Sequence, residues 1–329
     1  MRTYDTADKA FVSMLNKIVV DGTELTVRGS STKELLFQQI EILHPEKRCV
    51  FVPNRNDNIF AKIAETLWVL AGRNDIRWLS YYLPRASEFS DDGYTWRGGY
   101  GPRLVTGLDA IISIMKEDPY SRRAVINLYD AKRDFVVSKD IPCNVALQFL
   151  IRDERLYLYV FQRSSDIMWG FSGINTFEWS VLLEMMACWL GVPMGSLIFN
   201  ITSLHLYDRH YEKANRILHD ADMVELQQNA IHTLPFTLAH EHLDDYLQLI
   251  FYMEKGVRTH DGSVYQLYTL NDPFLNGCWK MLKMFILWKE FGDAEFEPMV
   301  TEILEEMPVC DFRIAAQDFF MRKHTVVSP

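Results

Sequence analysis

"VALQFLIRDERLYLYVFQR", residues 145–163, is the stretch from which the fold is read. Two runs of apolar, β-prone residues flank the polar break "RDER" (152–155), the pattern of two antiparallel strands joined by a tight turn. The hairpin is entered through "IPCN" (141–144) and left through "QRSSD" (162–166), so a cysteine, a cation, two hydroxyls and a carboxylate crowd its open end. Cys143 is then either a nucleophile presented at a strand entrance or one more of the buried, inert thiols that free cysteines usually are. Its neighbours must decide.

Upstream, "LVTGLDAIISIMKEDP" (104–119) predicts a helix stopped by Pro119, and "RRAVINLYD" (122–130) a strand. Downstream, "NTFEWSVLLEMMACWLG" (175–191) predicts a buried helix ending at Gly191, and "SLIFNITSLHLY" (196–207) returns to strand. Nearer the N-terminus, "STKELLFQQIEIL" (31–43) and "NIFAKIAETLWVLAG" (58–72) carry apolar residues at helical spacing, the second closing on Gly72. Helices are expected at 240–255, 273–290 and 297–306. The sum is a mixed α/β chain with a substantial central sheet, and the lack of repeats or Gly/Ser-rich linkers predicts one domain over 1–329.

The cysteines at 49, 143, 188, 278 and 310 are odd in number and form no CxxC pair, which points to a reducing, cytoplasmic setting and to neither a disulfide framework nor a metal site. The N-terminal "MRTYDTADKAFVSMLNKIVV" lacks a signal-peptide core, and no apolar run approaches a membrane span. A net charge of −10 argues against a broad nucleic-acid surface while permitting a local arginine pocket for one small anion. Arg163 and Ser164 of "QRSSD", with the two arginines of "SRR" (121–123), could bind phosphate oxygens. A guanidinium near Cys143 would favour its thiolate. Glu65, inside the apolar "IAETLWVL", is costly to bury unless it has a purpose or a partner.

In this order and at these spacings, "RGSS" (28–31), "AETLWVLAG" (64–72), "GGYG" (98–101), "DPYSRR" (118–123), "PCN" (142–144), "QRSSD" (162–166), "GINTFEWSVLLEMMACWLG" (173–191) and "SLHLYDRHYEK" (203–213) resemble the thymidylate synthase family, including its pyrimidine nucleotide hydroxymethylase branch. The likeness covers about residues 25–213 and fades over the helical C-terminal third. It implies a large mixed sheet flanked by helices and a homodimer joined through sheet faces. It also implies that Cys143 adds to C6 of a pyrimidine nucleoside monophosphate, so that C5 attacks the methylene group of 5,10-methylenetetrahydrofolate. By the same resemblance Arg28, Arg163 and Ser164 hold the phosphate, and Arg122 and Arg123 reach the neighbouring subunit's site. His205 and Tyr207 bind the ribose hydroxyl. The resemblance further implies that Glu65 organises water and shuttles protons, that Tyr100 assists proton removal from C5 and that Asp166 bonds the base or the folate, with Gln162 in the same strand-end motif.

Base choice in the resemblance turns on one amide, which serves the N3–H and O4 of uracil, where a carboxylate would serve cytosine. Aligning the helix puts Asn175 there, favouring uracil. "IMWGFSGIN" (167–175) is one residue longer than the family's usual spacing, and an ungapped count puts Ile174 there instead. Asn144 stands where thymidylate synthases usually have histidine, and "RKHTVVSP" (322–329) is unlike the tail that closes over folate in those enzymes. Hydride transfer needs a dry, closed site, whereas hydroxymethylation needs water. The expected reaction is therefore 5-hydroxymethylation, of a uracil or a cytosine nucleotide. The alternatives are reductive methylation of dUMP and a non-catalytic nucleotide- or RNA-binding relative.

Overall fold

The computed structural model describes residues 1–27, 29–221, 231–261 and 269–323. Its strands are β1 (Arg2–Tyr4), β2 (Thr23–Val27), β3 (Ser30–Ile42), β4 (Val125–Asn127), β5 (Asn144–Arg152), β6 (Arg155–Gln162), β7 (Ser165–Asp166) and β8 (Met194–Tyr207). The α-helices are α1 (Ala7–Asp21), α2 (Ile59–Leu70), α3 (Ile76–Tyr82), α4 (Gly101–Glu117), α5 (Ala131–Asp134), α6 (Thr176–Leu190), α7 (Tyr211–Ala221), α8 (Leu243–Arg258), α9 (Pro273–Glu290), α10 (Asp293–Glu306) and α11 (Asp311–Arg322). A π-helical segment, Ile167–Asn175, runs directly into α6.

The hairpin is where the sequence placed it. β5 and β6 pair antiparallel out to Arg152 opposite Arg155, and Asp153 and Glu154 make the turn with φ of 49° and 59°. Positive φ at both central residues matches the right-handed twist of the flanking strands. All strands join one mixed sheet in the order β1-β3-β8-β6-β5-β4, with β2 added to β3 and β7 to β8. β6 and β8 run parallel and are connected through the π segment and α6. Their carboxyl ends therefore point the same way, and the antiparallel β5 begins at that same edge. That edge carries the site.

The stretch 31–43 is not the helix its apolar spacing suggests. It is most of β3, paired with β8 from Thr32 opposite Tyr207 to Ile42 opposite Leu197. Phe37, at φ 54°, kinks the strand. The side that carries buried apolar residues switches from the odd Leu35 to the even Ile40 and Ile42, while Leu36 and Phe37 are exposed. That switch breaks the alternation by which a strand is recognised and leaves a pattern that imitates a helix.

The other predicted helices and strands are present. In α2, the Asn58 side chain accepts from the Ala61 N–H at 3.2 Å, and Gly72, at φ 66°, follows the last turn. Gly191 at φ 67° closes α6. α10 begins a turn earlier than expected, with Pro298 inside it. α2 is apolar almost all round because it is covered on two sides, by α6 and by the C-terminal helices α9 and α11. Phe60 of α2 meets Phe285 of α9 and Phe319 and Phe320 of α11 with ring centroids 4.9–5.4 Å apart. The C-terminal third thus packs behind the helix that carries Glu65. No described helix is long and apolar enough to cross a membrane.

Candidate active site

A cavity of about 500 Å³ opens at the carboxyl ends of β6 and β8, within the size range of small-molecule sites. Cys143 reaches its wall from the residue before β5. Arg163, just beyond β6, places Nη2 3.7 Å from Cys143 Sγ. Its guanidinium is pinned by donating from Nε to the Pro142 carbonyl at 2.9 Å and from Nη2 to the Ile141 carbonyl at 2.8 Å. A fixed cation beside a sulfur favours negative charge there.

Tyr100 stands ahead of α4, and its hydroxyl accepts from the Asn144 N–H at 3.3 Å, tying "GGYG" to the nucleophile's own backbone. Burial, then the nearby Cys143 and Glu178, push its phenol well above the usual range. Gly98 lies against Asp140, so close that a Cβ there would sit 2.1 Å from Asp140 Oδ2. Burial pushes Asp140 up to about 6. Glu65 comes from the middle of α2 and lines the cavity. Burial, with Asp140 adding to it, pushes its carboxyl up to about 8. A carboxyl that titrates near neutrality is suited to moving protons.

Three buried amides link three elements. Gln162 of β6 donates from Nε2 to Asn144 Oδ1 at 2.7 Å and to Asn175 Oδ1 at 2.9 Å. Trp179 Nε1 of α6 also donates to Asn144 Oδ1, at 3.3 Å. Asn175 lines the cavity, whereas Gln162 stands behind its wall. Ile174 also lines it, and the π segment delivers both. The Thr176 N–H bonds to the Phe171 carbonyl and Ser172 Oγ to the Ile167 carbonyl, each five residues back. This wider turn holds one more residue than an α-helical one. Asp166 caps it, accepting from the Met168 N–H at 2.8 Å while lining the cavity.

His205 and Tyr207, at the end of β8, both reach the cavity with their rings 5.1 Å apart and nearly perpendicular. Burial holds the imidazole below its usual range, with Asp166 pulling the other way. Ser164 is on the wall as well. Arg122 and Arg123 are exposed and do not line this cavity. Arg28 lies outside the described residues, as does most of "RKHTVVSP".

Sequence reasoning passed over several groups now on the wall or just behind it. Asp140 sits three residues before Cys143, a proximity that could have been read. Arg209, two residues beyond Tyr207, stacks over that ring at 4.0 Å. Glu178 is a second buried carboxyl inside an apolar run, as Glu65 is, and the same argument would have found it.

A thiol held against a clamped guanidinium shares this cavity with a base-like carboxyl and a hydrogen-bonded amide, a grouping of the kind that covalent nucleophilic catalysis requires. The sequence matches the thymidylate synthase family over residues 9–248, and the chain belongs to that family. It is 29% identical over 355 residues to the deoxyuridylate hydroxymethyltransferase of Bacillus phage SP01, covering 95% of this chain and 91% of the relative. It is 36% identical over 188 residues to the deoxyuridylate hydroxymethyltransferase of Pseudomonas phage M6, covering 55% of this chain and 53% of that one. A thymidylate synthase from Buchnera aphidicola subsp. Baizongia pistaciae is 27% identical over 228 residues, or 63% of this chain and 82% of its own length.

Proposed function

We propose that this protein is a folate-dependent one-carbon transferase that hydroxymethylates C5 of dUMP, using Cys143 as the nucleophile. The observation that carries this reading is the placement of Cys143 Sγ, 3.7 Å from the pinned Arg163, on the same cavity as the Asn175 amide. Sγ adds to C6 of the base, which makes C5 nucleophilic; C5 gains the one-carbon unit and loses its proton. Water then adds to the exocyclic methylene carbon, and Sγ departs. Water supplies the hydroxyl, tetrahydrofolate leaves, and no net redox change occurs.

Asn175, its Oδ1 held by Gln162, presents an amide to N3–H and O4 of uracil. Arg163 and Ser164 face the phosphate, joined by Arg28, and His205 and Tyr207 face the sugar. Glu65 moves the protons at the base and aligns water, Tyr100 supports loss of the C5 proton, and Asp166 holds the base or the folate. The wall also carries Trp68, Phe89, Trp96 and Trp169 beside Val69 and Leu83, an aromatic and apolar surface that fits a flat pterin. When bound there, 5,10-methylenetetrahydrofolate supplies the methylene carbon. Asn144 in place of the usual histidine, and the hydroxymethyltransferase relatives, support hydroxymethylation over reductive methylation.

The dimer belongs to the same proposal. The face of the sheet turned away from α6 carries Val125, Tyr159 and Phe161, Val125 and Phe161 being exposed, with Arg122 and Arg123 at its edge. A second copy covering that face would receive those arginines at its phosphate. One contiguous apolar cluster running from α1 to α11 supports a single catalytic unit.

The test is mass spectrometry of products after incubating the protein with 5,10-methylenetetrahydrofolate and dUMP, UMP, dCMP or CMP. Hydroxymethylated dUMP is the expected product. A methylated product would make this a thymidylate synthase, and no product from any of the four would sink the enzymatic reading.

A further inference from the structure

Glu178 has no role in the scheme above. It lies on α6 one turn beyond Asn175, is 2% exposed, and its carboxyl has the Asn175 side chain as a hydrogen-bonding neighbour and no cation beside it among the described residues. α6 packs against α2, which carries Glu65. The groups that act on this pair are Glu65 from α2, Tyr100 from ahead of α4, Asp140 from the loop before β5, and Asn175 from the π segment. The cations of the cavity wall are engaged elsewhere. Arg85 binds Glu88, Lys139 the Ser90 carbonyl, Arg163 the Ile141 and Pro142 carbonyls, and Arg209 stacks on Tyr207.

Two carboxyls in one protein-enclosed region, with no cation assigned to either, cannot both ionise. The one with less access to the cavity keeps its proton. Glu65 lines the cavity and Glu178 does not. Burial first, and then the charge of Glu65, push Glu178 well above the carboxylate range.

We propose that Glu178 is a positioning residue that retains its proton and directs it toward Glu65, so that Glu65 alone carries the titrating charge of the site. A neutral acid supplies a hydrogen-bond donor to the charged form of Glu65, stabilising that form without adding a second charge. The place given to Glu65 in this step rests on the hydroxymethyltransferase reading, whereas the protonation of Glu178 does not.

Two experiments separate those claims. The first is infrared difference spectroscopy on ¹³C-glutamate-labelled protein without substrate, at a pH above that at which Glu65 ionises. A protonated carboxylic acid band is expected in the unsubstituted protein and not in Glu178→Gln; its absence from the first, or its unchanged presence in the second, overturns the proposal whether or not dUMP is turned over. The second is the pH profile of kcat. Glu178→Met removes the donor, so the limb belonging to Glu65 should move to higher pH by about one unit, and Glu178→Gln, which keeps an N–H donor, should restore most of it. A move to lower pH would mean that Glu178 had been charged, and an equal loss at every pH would mean that it only fills space; either result overturns the proposal. Failure of the unsubstituted protein to make product, with the infrared band intact, would count against the functional reading alone.

Discussion

A Cβ on Gly98 would stand 2.1 Å from Oδ2 of Asp140, a distance that side-chain carbons do not tolerate. Asp140 sits three residues before Cys143, so the loop presenting the nucleophile is set against the backbone of "GGYG". Gly98→Ala must turn the Asp140 carboxyl aside and press on the Pro142 backbone nitrogen, 3.2 Å from that Cβ and one residue before Cys143. Because displacement of a reacting group by an ångström costs on the order of a hundredfold in rate, kcat is expected to fall by about that factor. Steady-state kinetics of Gly98→Ala, run beside its thermal melt, check this; an unchanged kcat would show that the loop yields without moving Cys143.

Cys143→Ala should reduce turnover to background while leaving the fold intact, since Cys143 is only partly buried and its Sγ has Arg163 rather than the core beside it. Intact-protein mass spectrometry of the acid-quenched reaction adds a second reading. The unsubstituted protein should carry the mass of a nucleotide and the variant should not.

Asn175→Asp replaces the amide donor with an oxygen and removes complementarity to uracil O4, while a protonated carboxyl can serve the N3 and amine of cytosine. Loss of one matched hydrogen bond at a buried site is worth about 1–3 kcal/mol. The ratio of kcat/KM for dUMP to that for dCMP should therefore fall by at least about tenfold. Gln162→Met, which leaves Asn175 Oδ1 without its 2.9 Å donor, should erode the same ratio less steeply.

The carboxyl of Glu65, pushed up to about 8 by burial, binds its proton more tightly folded than unfolded, where it titrates near its ordinary value of 4.5. Between those values the folded state holds more protons, so its contribution to stability is complete below the lower value and is lost as pH rises through the upper one. Glu65→Gln should flatten that decline. Urea titrations at acid, neutral and alkaline pH should show the variant gaining on the unsubstituted protein as pH rises, and a constant difference would contradict the burial of this carboxyl.

Phe285→Ala opens a void between α9 and Phe60 of α2, whose rings stand 5.3 Å apart. A loss of about 3–5 kcal/mol in unfolding free energy is expected from truncating a buried phenylalanine. Denaturant unfolding measures it, and a loss below about 1 kcal/mol would mean that the C-terminal helices pack on α2 only loosely.

Much of this architecture is legible in the chain because local signals agree with the tertiary result. "RDER" turns where two apolar runs end, Gly72 and Gly191 stop their helices with positive φ, and Pro119 stands just past α4. β3 is not legible, because the left-handed Phe37 changes which side of the strand faces the core and only its ladder with β8 makes it a strand. The site was readable where polar residues interrupt apolar runs, as at Glu65 and "QRSSD". The groups that arrive from afar were not, since the contact of Gln162 with Asn175 depends on how β6 and the π segment meet.

The π-helical turn at Ile167–Asn175 also changes how distances along this chain should be measured. An inserted residue in an ordinary helix rotates everything after it by roughly 100°, which here would swing the amide away from the cavity. A widened turn stores the insertion as a bulge, so the next helix keeps its facing and the change in length stops within a few residues. Counting residues between landmarks is consequently a poor ruler in this segment. A residue added or removed ahead of α6 can be taken up in that turn while the chemistry on either side stays in place.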